Sequence, residues 1–169
     1  MNFDDARAKI DAILEGKTSI LVAEIKRMII DRPFVLDRGI TKDQINGIHF
    51  EYEWDSFLPI ACPLNTITGY CGAGEPLALF ERGEDQLFPT SIEEDCLNSV
   101  AATEHESIER LIHALQTERY REWFLATWKL ARDVNPSMRG FWSVHDSIWR
   151  TDLDTGEKFE EDSGRVKFF

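Results

Sequence analysis

The stretch Ile48-His49-Phe50-Glu51-Tyr52-Glu53-Trp54-Asp55 alternates without interruption, with apolar or aromatic residues at even positions and polar ones at odd positions. Only an extended chain, whose side chains point to opposite faces in turn, makes structural sense of that period. It predicts a strand with a buried even face and with His49, Glu51, Glu53 and Asp55 on a wet, acidic face. A fold for this chain therefore needs a sheet here, covered on one side.

Helical patterns flank the strand and supply the cover. Phe3, Ala6, Ile10, Ile13 and Leu14 form one stripe, with Gly16 placed to end the helix. Thr18 or Ser19 is placed to cap a second helix, carrying Leu21, Ile25, Met28 and Ile29 and closed by Pro33. Further on, Ser91 and Glu94 have the spacing of a capping box. A longer helical region follows through Ile108, Leu111, Ile112 and Leu115, with a break expected at Thr117. It resumes through Trp123, Phe124, Thr127, Trp128 and Ala131 to Asn135-Pro136.

The remaining segments read as short strands and loops. Residues 57–62 are extended. Residues 63–76, with two prolines and three glycines, form a loop. Pro76–Phe80 and Gln86–Phe88 predict a short hairpin. Phe141–Thr151 predicts one strand or a bulged pair, and Asp154-Thr155-Gly156 a turn before Glu157–Glu160. Gly164 precedes a last strand, Arg165–Phe169. The order is helices, strands, helices, strands, without the βα alternation of a Rossmann or barrel fold. The expected fold is one α+β domain over residues 1–169, an antiparallel sheet packed with helices.

Charge narrows function more than any motif does. Of a net charge of −12, −8 falls between Glu81 and Glu109, where nine acidic residues face Arg82 alone. Residues 1–42 sum to +1 and residues 110–145 to +3. A concentrated acidic surface repels nucleic acid and anionic membrane and attracts basic partners. The longest apolar run, Ile20–Ala23, falls far short of the roughly 20 residues of a membrane span. The charged N-terminus lacks the apolar stretch of a signal peptide, and three cysteines without paired spacing suit a reducing compartment, so the expected location is the cytoplasm.

The candidates for chemistry are few. Gly69-Tyr70-Cys71-Gly72-Ala73-Gly74 places a cysteine among glycines, a partial match to a nucleophile elbow in which Ala73 stands where glycine is required. Cys71 with His49 or His145 as base would make a small hydrolase. The same loop lacks the Lys-Ser/Thr of a phosphate-binding loop. His49, Glu51, Glu53 and Asp55 share a strand face, a pattern better explained by solvation than by a metal, and the cysteines lack zinc-finger pairing. No metal and no cofactor is expected. The acidic set from Asp152 to Asp162 reads as a solvated hairpin tip. The mixed basic and aromatic run Arg119–Arg132 resembles a nucleic-acid surface when read flat, but its aromatics fall on one core-facing helical stripe.

The leading expectation is a non-enzymatic acidic binding module of the inhibitor or immunity type. Its partner would be a basic protein such as a bacterial toxin nuclease. Glu51, Glu53, Asp55, Glu84, Asp85, Glu93, Glu94 and Asp95 would be the contact residues and an exposed aromatic the anchor. The alternative is the Cys71 hydrolase.

Overall fold

A computed structural model of the chain describes residues 1–54, 56–79 and 86–160. The predicted Arg165–Phe169 strand and part of the predicted hairpin at 76–88 lie outside them. Helices α1 (Phe3–Ile30), α2 (Ser91–Leu97) and α3 (His105–Ala131) pack on a curled sheet of strands β1 (Gly47–Tyr52), β2 (Pro59–Asn65), β3 (Gly69–Tyr70), β4 (Glu75–Pro76), β5 (Arg139–Val144), β6 (Trp149–Asp152) and β7 (Lys158–Glu160).

The N-terminal segment is one helix of 28 residues. Asn2 caps it by accepting from the Asp5 amide at 2.9 Å. Gly16 does not end it. A glycine inside a helix costs about 1 kcal/mol, and the continuous stripe Ala6, Ile10, Leu14, Leu21, Ile25, Met28 and Ile29, all buried, outweighs that cost. Thr18 is no cap either. Its hydroxyl donates to the Leu14 carbonyl (3.0 Å) and accepts from Trp123 Nε1 (2.8 Å), tying α1 to α3. The helices run side by side in the same direction, as Asp11–Arg119, Thr18–Trp123 and Lys26–Asp133 show.

Helix α3 likewise runs unbroken through Thr117, burying Ile112, Gln116, Tyr120, Phe124, Thr127, Trp128 and Ala131 along one stripe. Helix α2 starts at Ser91, but the capping box is not made: Thr90 precedes the helix in a helical conformation and makes no side-chain cap bond.

The sheet order is β3-β2-β1-β5-β6-β7, with β4 also paired to β2. It is mixed, not antiparallel as the strand patterns suggested. β1 pairs antiparallel with β2 but parallel with β5, Gly47 opposite Arg139 through Tyr52 opposite Val144. The chain between them crosses through α3, and such a crossover brings a strand back in the same direction as its neighbour. β2 continues past Pro63, whose carbonyl accepts from the Cys71 amide at 3.0 Å.

The even face of β1 is buried as expected. Phe50 packs on Phe124 and Trp128 with ring centroids at 5.0 and 5.8 Å, and Tyr52 on Tyr120 at 5.0 Å. Gly140 of β5 lies under Trp128, where a Cβ would come within 2.5 Å of Cε2. The odd face is not the wet face expected. Leu64, Phe141 and Phe159 form a second small apolar cluster away from the helices, and His49 is fully buried.

The C-terminal acidic set is a solvated tip only in part: Glu157 and Glu160 are exposed, whereas Asp152 and Asp154 turn inward. Asp152 and Asp154 side chains are 10% and 13% exposed. Asp154 accepts from Trp128 Nε1 at 2.8 Å, and both carboxylates pair with Arg139 while Asp154 also pairs with Arg132. Arg132, Arg139 and the Trp128 indole hold these carboxylates inward, through pairings 13 to 26 residues apart that local sequence does not display.

Candidate functional site

Strand β1 ends in a tight turn in which the Phe57 amide donates to the Glu53 carbonyl at 2.8 Å and Phe57 adopts a φ of 57°. The turn returns Phe57 to the core and throws Trp54 out of the alternation, leaving it 58% exposed. His113 of α3 holds it from below. Nε2 donates to the Trp54 carbonyl at 2.9 Å, and the two rings meet edge-on with centroids 5.1 Å apart.

Around Trp54 lies a groove of about 430 Å³, edged by Glu93 of α2 and by Glu106, Glu109 and Arg110 of α3. Glu106, Glu109 and His113 fall on one helical face by their spacing of three and seven. Arg110 pairs with Glu106. Glu93 and Glu109 have no ion pair among the described residues. The groove is therefore net acidic, with a large exposed indole at its centre. A cation placed there meets carboxylates at the rim and an aromatic face below, the arrangement that favours Lys or Arg side chains.

Helix α2 is fixed by the chain's start. The N-terminal ammonium donates to the Asp95 carbonyl at 2.6 Å, and Lys9 pairs with the Asp95 carboxylate at 3.1 Å. Successive helical residues point about 100° apart. Glu93 accordingly faces the groove, Glu94 faces solvent, and Asp95 turns toward α1. The run Glu93–Asp95 is not one acidic face.

Glu51 and Glu53 belong to a different place. Glu51 approaches His145 Nδ1 at 3.4 Å, and its charge first, with Asp146 and Glu53 adding to it, raises the His145 pKa. Asp55, Glu84 and Asp85 lie outside the described residues. Of the eight predicted contact residues, the structure puts Glu93 in the Trp54 groove. Trp54, Glu106 and Glu109 were absent from that set. The exposure of Trp54 is set by the Phe57 turn, which the alternation hides, while the Glu106–Glu109–His113 spacing was visible.

No protein family, curated protein or solved structure matches this chain.

The hydrolase residues do not converge among the described residues. The Cys71 thiol is 1% exposed and donates to the Gly69 carbonyl at 3.6 Å. Burial pushes its pKa up, opposite to the direction an activated nucleophile takes. Gly72 serves close packing, since a Cβ there would meet the Val35 carbonyl at 2.2 Å. His49 is held between Tyr70 OH (2.6 Å to Nδ1) and Ser143 Oγ (2.8 Å to Nε2). Burial first and the Arg150 charge second lower its pKa to about 3, so it stays neutral. His145 sits in the turn after β5, beside Glu51 rather than Cys71.

Among the described residues no three His, Cys, Asp or Glu side chains converge as a metal site needs, and no helix is long and apolar enough to cross a membrane.

Proposed function

We propose that this chain is a non-enzymatic protein-binding module of the inhibitor or immunity type, holding a basic partner in the acidic groove around Trp54. The observation that carries this reading is the 58% exposure of Trp54 in a groove edged by Glu93, Glu106 and Glu109. A Trp that docks into a partner's pocket is a frequent centre of binding energy, and rim carboxylates speed capture of a basic partner such as a toxin nuclease. The net charge of −12 extends the attraction beyond contact distance.

The test is capture from a lysate at low salt with three baits: the native chain, Trp54→Ala, and the triple variant Glu93→Gln, Glu106→Gln, Glu109→Gln. The reading expects one basic protein retained by the native chain, released at moderate salt, and lost from both variants. Retention of the same protein by both variants places binding elsewhere and overturns it.

A further inference from the structure

The groove around Trp54 does not end at His113. His113 and Ala114 also line a second groove of about 530 Å³, which continues along the same face of α3. Resting on the protein-binding role of the Trp54 groove, we infer that the two form one cleft that takes an extended segment of the partner with opposite charges at its ends. A Lys or Arg lies over Trp54, apolar side chains lie over Trp142 and Trp149, and a carboxylate lies between Arg121 and Lys158.

The far half of the cleft differs from the near half in sign. Its floor is Trp142 of β5 and Trp149 and Thr151 of β6; Trp142 is buried and Trp149 is 53% exposed. Arg121 and Lys158 stand at its mouth, with Glu118 beside them. Arg121 and Lys158 have no ion pair among the described residues, as is true of several other surface cations of the chain. With two cations against Glu118 over an indole floor, this end carries net positive charge and suits an anion better than the second base that the acidic end alone would suggest. Trp142 Nε1, buried beneath this end, has no hydrogen-bond partner among the described residues.

Length selects the class of occupant. From Glu106 to Arg121, α3 advances about 22 Å at 1.5 Å per residue. Six or seven extended residues span about that distance at roughly 3.3 Å each. A compact small molecule reaches one end only, and nucleic acid is repelled by the carboxylates at the other.

Two heptapeptides with blocked ends and the same apolar centre test this, titrated into the isotope-labelled full chain. One carries Arg at one end and Glu at the other, and the second carries Arg at both. The indole N–H signals of Trp54, Trp142 and Trp149 report the two halves separately. The bipolar peptide is expected to shift all three and to bind about fivefold more tightly than the doubly basic one. Arg121→Glu, and independently Lys158→Glu, should abolish that preference. If the doubly basic peptide binds equally well and moves only Trp54, the extended cleft is overturned while the acidic groove keeps its role. If neither peptide moves Trp54, both readings fall.

Discussion

Across the parallel pair of β1 and β5, His49 Nε2 and Ser143 Oγ lie 2.8 Å apart, in a site where the imidazole is fully buried. Its folded pKa of about 3 lies below the ordinary 6.5. The unfolded chain therefore binds a proton that the folded chain refuses. The stability from this group is complete above pH 6.5 and declines as pH falls toward 3, by about 1.4 kcal/mol per pH unit. Chemical unfolding at stepped pH should show a shallower acid decline for His49→Gln, which keeps polar contacts but does not titrate. Equal slopes for the two proteins would refute the assignment.

Two glycines should respond to alanine with opposite signs. At Gly140 the new methyl would press on the Trp128 indole at 2.5 Å, and overpacking of this kind costs about 1–3 kcal/mol. At Gly16, inside α1, nothing lies within 4 Å, so Gly16→Ala should stabilise by up to about 1 kcal/mol through helix propensity alone. Thermal unfolding of the two variants beside the parent decides the matter.

Asp154 joins Trp128 Nε1 to Arg132 and Arg139 at a largely buried position. Asp154→Ala leaves the Trp128 indole N–H without its acceptor and removes one carboxylate from Arg132 and Arg139, which keep the Pro136 carbonyl and Asp152, and should cost about 1–3 kcal/mol in urea denaturation. Asp154→Asn retains an oxygen for the indole and should cost less. A loss below about 1 kcal/mol for the alanine variant would mean water replaces the carboxylate fully.

The thiols should be slow. Burial raises the Cys71 pKa, and burial with the Glu51 charge pushes Cys62 up to about 11. In the folded chain, iodoacetamide should modify Cys71 more slowly than a free thiol, and denaturation should remove the difference. Modification faster than a free thiol would bring the Cys71 hydrolase reading back to the front.

The contrast between Phe50 and His49 shows what was legible. Alternation correctly separated the two faces of β1, and 3.6-residue spacing correctly aligned Phe124, Thr127, Trp128 and Ala131 in the core. Neither pattern states what covers the opposite face. His49 was read as wet because a polar residue opposite a buried face is usually solvated. Here Tyr70, from a strand two places away, and Ser143, 94 residues on, enclose it. Trp54 failed in the other direction, continuing the apolar period in sequence while the Phe57 turn took it out of the sheet.

What the sequence determined by itself is the set of periods and the charge: a sheet-forming segment at residues 48–55, two long apolar helical stripes, and an acidic surplus. These depend on neighbours within a few residues, whose relative directions are set by backbone geometry. Tertiary structure alone decided that α1 runs through Gly16, that β5 returns parallel to β1, that Asp152 and Asp154 turn inward, and that Trp54 meets Glu93, Glu106 and Glu109 in one groove. Each of these depends on burial or charge pairing between residues distant in the chain, and such energies exceed the local preferences of any one residue.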